Sequence, residues 1–161
     1  MTNSSRKFLA VSDETEESLS ALVFAAMRAK AVGAGLVFLR CARVPGVGGW
    51  IGLDKDISQD AIDTARLKAV EHANIVEARI GIAAEVIVED DEPVDAIRKL
   101  VARDPAIKSL VLAAGSGRRG PGPLVSRLAR GHALSERPIA VTVIPGGLTD
   151  RQLDEMGGFS G

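Results

Sequence analysis

Residues Lys108–Arg130, KSLVLAAGSGRRGPGPLVSRLAR, decide the fold class of this 161-residue chain. The apolar run 110–114 predicts a buried strand, and a loop with glycines at 115, 117, 120 and 122 follows it before a helical pattern begins at Leu124. A strand that ends in glycines and leads into a helix is typical of α/β proteins, where free backbone N–H groups at the turn can bind an anion. Glycine loops without a fixed spacing are weak signals, so the loop is either a phosphate site or a stiff connection.

The composition favours a parallel sheet covered by helices. Hydrophobic residues make up 46% of the chain but aromatic residues only 3%, with no Tyr and a single Trp. The core must therefore consist of Val, Ile, Leu and Ala, which suits parallel strands that are buried on both faces. The length allows one domain with a substantial core.

Charge, cysteine content and hydropathy argue against several functions. Lys and Arg number 20 against 21 acidic residues, so no overall positive field favours nucleic acid. Cys41 is the one cysteine, which excludes an internal disulfide and a multi-cysteine metal site. His72 has no second ligand near it in sequence, and the acidic run 89–92 suits the dipole of the helix after it, so we predict no metal site. No apolar run is long enough for a membrane span or a signal peptide, so we expect a cytoplasmic protein.

Apolar runs and structure-breaking residues alternate along the chain in a regular order. Strands are predicted at 8–11, 36–39, 84–88, 110–114 and 139–144. Helices are predicted from Thr15 to the glycines at 33 and 35, over 57–76, from Pro93 to Asp104, and over 124–134. This order predicts a Rossmann-like α/β fold, a doubly wound parallel sheet of five strands with helices on both faces. The predicted domain covers 1–147, and the tail 148–161 carries one short helix over 149–156.

A glycine-rich loop over 44–56 carries the single tryptophan, Trp50. We expect this side chain to fold back over a helix, because aromatic rings bury readily. The alternatives for this loop are a lid and a partner contact.

The carboxyl ends of three predicted strands supply the candidate site residues. In doubly wound sheets, ligands bind beyond these ends, where the winding direction reverses. The three ends are Ser12–Asp13, Arg40–Cys41 and Gly115–Gly120. We therefore expect these segments to meet at one edge of the sheet.

The same three segments resemble the universal stress protein family, and the resemblance extends over nearly the whole chain. The segment FLAVSDETEES is similar to the family's first strand and the aspartate-led turn after it, with Asp13 at the aspartate and Thr15 at the serine position. Three further segments resemble the second strand, the fourth strand with its glycine ending, and the last strand: 36–41, 110–117 and 138–144.

The resemblance implies a site for ATP or another adenine nucleotide. In nucleotide-binding members, the aspartate and the backbone at the end of the second strand hold the adenosine. On this chain these positions are Asp13, with Thr15 in the same turn, and Cys41.

The phosphate-binding part of the family pattern is altered in this chain. That pattern is Gly, two residues, Gly, nine residues, then Gly-Ser or Gly-Thr. Ala114 stands at the first position, Gly117 at the second, and Val125–Ser126 at the final pair after seven residues. The Cβ of Ala114 opposes phosphate binding, because it occupies space where a phosphate would approach the backbone. The prolines at 121 and 123 also oppose it, because they have no N–H to donate. Two sets of residues favour it: Ser116, Arg118, Arg119 and Ser126 can supply donors and charge, and Gly115, Gly120 and Gly122 can substitute locally for the missing glycines.

Three functions remain open at this stage. The resemblance implies a cytoplasmic homodimer that supports survival under stress and pairs through the last strand at 139–144, although the tail is an alternative cover for that edge. The second is a hydrolase of a nucleotide or phosphate ester, with Asp13 as acid/base or metal ligand and Arg118 or Arg119 as phosphate clamp. The third is a ligand-free interaction module in which Trp50 or the tail contacts a partner.

Overall fold

A computed structural model describes residues 6–42 and 59–158 of the chain. The described residues form five strands: β1 (Lys7–Ser12), β2 (Gly35–Cys41), β3 (Glu85–Glu89), β4 (Ile107–Ala114) and β5 (Ala140–Pro145). They also form five helices: α1 (Ser18–Val32), α2 (Gln59–Ile80), α3 (Pro93–Arg103), α4 (Pro123–Ala129) and α5 (Asp150–Gly157). The predictions for the loop at 44–56 and for Trp50 lie outside the described residues.

The five strands form one parallel sheet in the order β3-β2-β1-β4-β5. The chain builds outward from β1 through β2 to β3, then crosses back and builds outward again from β4 to β5. The winding direction therefore reverses between β1 and β4. This arrangement confirms the predicted doubly wound sheet.

Aliphatic side chains of the central strands alternate between two cores, one on each face of the sheet. Ala10, Phe38 and Val111 face a cluster that includes buried residues of α1, α2 and α5. Leu9 and Leu110 face the opposite cluster, to which α3 and α4 contribute. Both faces are covered because successive residues of a strand point to opposite sides.

Helix α1 begins at Ser18, so the predicted start at Thr15 is wrong. The Asp13 carboxylate accepts hydrogen bonds from the backbone N–H and the hydroxyl of Thr15, through Oδ1, at 2.8 and 2.6 Å. The Ser18 hydroxyl donates to the carbonyl of Val11 and accepts from the backbone N–H of Asp13. These bonds hold residues 13–17 in a turn, so the helix begins only at Ser18.

Helix α4 ends at Ala129, and the prediction that it continues to 134 is wrong. Arg130 is its C-terminal cap, and Gly131 takes a φ of 87°, a left-handed conformation that stops a helix. Helix α2 is longer than predicted at its end, because it continues to Ile80 rather than Val76.

The C-terminal tail packs on α1 and α2. Thr149 and Gln152 form a reciprocal capping box at the start of α5. Arg79 of α2 forms ion pairs with Asp150 and Asp154, and Leu153 is buried against α1. Strand β5 lies at the edge of the sheet, and its residues Ala140, Thr142 and Val143 are exposed.

In the described ranges, no helix is both long enough and apolar enough to cross a lipid bilayer.

Candidate ligand site at the carboxyl ends of the strands

A cavity of about 280 Å³ lies at the carboxyl ends of β1, β2 and β4, where the winding of the sheet reverses. Most of its wall is apolar, supplied by residues such as Val11, Val111 and Leu112 at the strand ends. Polar groups come from the segment Ser12–Ser18 and from Arg40. A mainly apolar cavity with a few convergent polar groups at a switch point is the usual place for a small ligand.

The structure brings only some of the predicted site residues to this cavity. Asp13, Thr15, Cys41 and Val125 line its wall. The second part of the glycine loop and the start of α4, residues 121–125, line it as well. The other predicted residues lie near the cavity but outside its lining: Ala114, Gly115, Ser116, Gly117, Arg118, Arg119, Gly120 and Ser126.

The glycine loop is closed by hydrogen bonds within itself. The N–H of Gly115 donates to the carbonyl of Pro121 at 3.0 Å, and the N–H of Gly120 donates to that of Gly117 at 3.2 Å. Gly117, Gly120 and Gly122 all have positive φ angles, so the turn needs these glycines for its backbone shape. The loop therefore uses two of its N–H groups on its own structure.

The carboxylate of Asp13 organises the turn after β1. Both of its bonds to Thr15 use Oδ1, and no hydrogen bond from the described residues reaches Oδ2. Asp13 is exposed at the cavity wall. Its position leaves Oδ2 available to accept a hydrogen bond from a ligand.

A buried polar cluster of Ser12, Arg40 and His72 lies beside the cavity. The sequence predicted that Ser12 and Arg40 share this edge of the sheet, but not that His72 joins them. Nη1 of Arg40 donates to Oγ of Ser12 at 3.1 Å, and the Ser12 hydroxyl lies 2.7 Å from Nδ1 of His72. Nη2 of Arg40 forms an ion pair with Glu14, which also pairs with Lys68 at 3.0 Å. A second, polar cavity of about 190 Å³ borders this cluster.

The buried polar cluster changes the titration of its members. Burial and the nearby positive charge of Arg40 lower the pKa of His72. Burial also lowers the pKa of Arg40. When His72 is neutral with an unprotonated Nδ1, that nitrogen accepts a hydrogen bond from the Ser12 hydroxyl, whose oxygen accepts one from Arg40, so one arrangement satisfies all three groups. Ser12 is only 1% exposed, so its hydroxyl is not an accessible nucleophile.

The signals for this cluster were weak in the sequence. Arg40 is a charged residue at the end of an apolar run, and its side chain is only 6% exposed. The prediction that His72 is a partly buried helix residue is confirmed. The contact between His72 and Ser12 arises from the packing of α2 against the sheet, which the sequence pattern does not specify.

Burial disfavours the thiolate form of Cys41. Burial, together with the carboxylates of Glu89 and Asp91, raises its pKa to about 12. The nucleophilic thiolate is therefore scarce, in agreement with the prediction of an inert thiol.

The acidic run 89–92 extends from the last residue of β3 to the residue before α3. Glu92 is the N-terminal cap residue of α3, Glu89 pairs with Arg103 at 2.7 Å and Asp91 pairs with Lys99 at 3.0 Å. Across 6–42 and 59–158, no group of three or more His, Cys, Asp and Glu side chains is placed to hold a metal ion.

Comparison with known protein families identifies the family to which this fold belongs. Residues 4–130 match the sequence profile described as the Universal stress protein family. The chain belongs to this family. No curated protein is significantly similar to it in sequence.

Solved structures of universal stress proteins share the fold at low sequence identity. One from Archaeoglobus fulgidus is 17% identical, with 86% of this chain and 93% of that chain covered and a TM-score of 0.62. A universal stress protein in complex with cAMP is 20% identical, with 88% and 98% covered and a TM-score of 0.62. The Archaeoglobus fulgidus protein in complex with dAMP is 19% identical, with 86% and 96% covered and a TM-score of 0.59.

Proposed function

We propose that this universal stress protein is a cytoplasmic stress-response module that binds the adenosine part of an adenine nucleotide in the cavity. The observation that carries the proposal is the mainly apolar cavity of about 280 Å³, which has Asp13 and Cys41 at its wall. The cytoplasmic location is part of the proposal and rests on the sequence alone.

The chemistry of the cavity suits a flat, mostly apolar ligand with polar edges. The strand ends and the apolar residues at the start of α4 supply surfaces against which a purine ring can pack. The free oxygen of Asp13 can accept a hydrogen bond from a ribose hydroxyl. Two relatives with the same fold were solved with cAMP and with dAMP, which supports an adenine nucleotide as the ligand class.

Calorimetric titration of the ligand-free protein tests this function. We expect binding of adenosine or AMP to weaken about tenfold in the Asp13→Asn variant, because one charged acceptor is lost, about 1.4 kcal/mol. The amide retains an oxygen for the turn with Thr15. Glu16→Gln is the matched control, because Glu16 is exposed and lies outside the cavity lining. No binding of adenosine, AMP or ATP at millimolar concentration would reject the proposal.

We further propose a homodimer that pairs through β5. This edge strand presents unpaired backbone groups and the exposed side chains of Ala140, Thr142 and Val143, and Val143 is 42% exposed. Such an edge is prone to pair with another strand. Sedimentation should report a dimer that Thr142→Pro converts to a monomer, whereas Asp150→Pro, outside the strand at the first position of α5 where a helix tolerates proline, should leave it paired. A monomeric wild-type protein would contradict the proposal.

A further inference from the structure

The carboxylate of Glu17 stands at the boundary between the cavity and the glycine loop. Glu17 lines the cavity. Its Oε2 lies 3.0 Å from the point that a Cβ on Gly115 would occupy, and its Cβ lies 3.6 Å from the corresponding point on Gly146. The loop after β4 and the turn after β5 therefore both pack against this one side chain.

The side chain of Glu17 does not cap the helix that follows it. It occupies the N-terminal cap position of α1, but its side chain makes no capping hydrogen bond. In the described part of the chain, no ion pair engages its carboxylate either. The carboxylate therefore has no cation paired with it among the described residues where it borders the cavity and the loop.

Among the described residues, the cavity wall carries more negative than positive charge. Its charged residues are the carboxylates Asp13, Glu14 and Glu17 and the guanidinium of Arg40. Arg40 already pairs with Glu14. Its charge is therefore largely neutralised before a ligand arrives.

The part of the loop that lines the cavity, residues 121–123, has a single N–H group, that of Gly122, to offset this charge. The N–H groups of Gly115 and Gly120 are used within the loop, and prolines at 121 and 123 have none. Arg118 and Arg119 are exposed and do not line the cavity, so solvent and salt screen their charges. A phosphate chain that ran from the cavity onto the loop would pass the Glu17 carboxylate.

From these contacts we infer that Glu17 makes the cavity selective for a neutral adenine nucleoside over ATP. This inference rests on the proposed function, which assigns the adenosine part of the ligand to the cavity. The apolar wall and Asp13 bind the nucleoside, and the unpaired carboxylate repels the phosphate oxygens. Glu17 is thus the residue that determines the phosphate content of the ligand.

Calorimetry with adenosine, AMP and ATP, with and without Mg²⁺, tests this selectivity. Wild-type protein should bind adenosine at least about tenfold more tightly than ATP, with AMP between them. Glu17→Gln should strengthen ATP binding about tenfold and leave adenosine binding within about twofold. Glu16→Gln removes the same charge one position earlier, outside the cavity, and should change neither affinity.

Salt dependence gives a second measurement that needs no variant. Raising the ionic strength should strengthen ATP binding to the wild-type protein and leave adenosine binding unchanged, because salt screens the repulsion. ATP binding that weakens with salt would overturn the inference.

Three other outcomes separate the two proposals. Equal affinity for adenosine and ATP, unaltered in Glu17→Gln, would overturn the selectivity and keep the proposed function. ATP binding that requires both Mg²⁺ and Glu17 would also overturn it, since the carboxylate would then bind the metal ion of the nucleotide. A protein that binds none of the three compounds would overturn the proposed function and the inference together.

Discussion

The two sides of the cavity are built in different ways. On the β1–β2 side, the buried polar cluster joins Ser12 to Arg40, 28 residues away, and to His72, 60 residues away. On the β4 side, the glycine loop is held by bonds between close neighbours in sequence, Gly115 with Pro121 and Gly117 with Gly120. The first side therefore depends on the packing of the whole domain, whereas the second is a local structure that can change with little effect elsewhere.

The substitution Arg40→Met should have the largest effect, because it breaks the β1–β2 side. The Met side chain keeps the apolar contacts of the stem, but Ser12 and His72 lose the donor that organises them. We expect the free energy of unfolding to fall by about 3 kcal/mol. Urea denaturation measures this loss.

Arg98→Met is the matched control for that experiment. Arg98 pairs with Asp95 on the exposed surface of α3, and such pairs contribute about 0.5 kcal/mol or less. An equal loss of stability in the two variants would show that the buried polar cluster has no special role.

The substitution Gly115→Ala should have a smaller effect, because the strain falls on the local side. A Cβ there would lie 2.9 Å from the carbonyl oxygen of Gly120 and 3.0 Å from Oε2 of Glu17. We expect a loss of about 2 kcal/mol, since the loop must open to make room. Thermal or urea unfolding measures it.

Gly117→Ala separates crowding from backbone strain in the same loop. Gly117 has a φ of 98° but nothing within 4 Å of an added Cβ, so only the strain of the left-handed conformation remains, about 1 kcal/mol. A larger loss of stability for Gly117→Ala than for Gly115→Ala would contradict this explanation, because crowding by Glu17 and by the carbonyl of Gly120 should make Gly115→Ala the more costly change.

The smallest effect should be the pH dependence contributed by His72. Its pKa is lowered from 6.5 by burial and by Arg40, against the opposing charges of Asp13 and Glu71. The unfolded chain therefore takes up a proton at higher pH than the folded one. The stabilising contribution is complete above pH 6.5 and is lost as the pH falls through the lowered pKa.

His72→Gln should therefore lose less stability than the wild type between neutral and acidic pH. Glutamine keeps an acceptor for Ser12 but does not titrate. His132→Gln is the control, because His132 is exposed in the turn after α4. Urea denaturation at a series of pH values measures the free energy of unfolding of each variant. Identical pH dependence of this free energy for the wild type and His72→Gln would contradict the role of His72.

The comparison also explains which predictions succeeded. At their carboxyl ends, the predicted strands lie within two residues of the observed ones, because apolar runs bounded by glycine and proline are local signals. The start of α1 was wrong because the Asp13 carboxylate holds Thr15 in a turn. The end of α4 was wrong because Gly131 stops the helix earlier than the apolar pattern suggests.

The sequence by itself determined the order of strands and helices, the aliphatic core and the edge of the sheet at which the cavity lies. These follow from periodicity and turn residues, which act over a few positions in the chain. Only the tertiary structure decided that Arg40, Ser12 and His72 meet, and that Glu17 faces Gly115. The reason is that contacts between residues distant in sequence depend on sheet register and helix packing, so the charge of the cavity wall is decided only when the chain has folded.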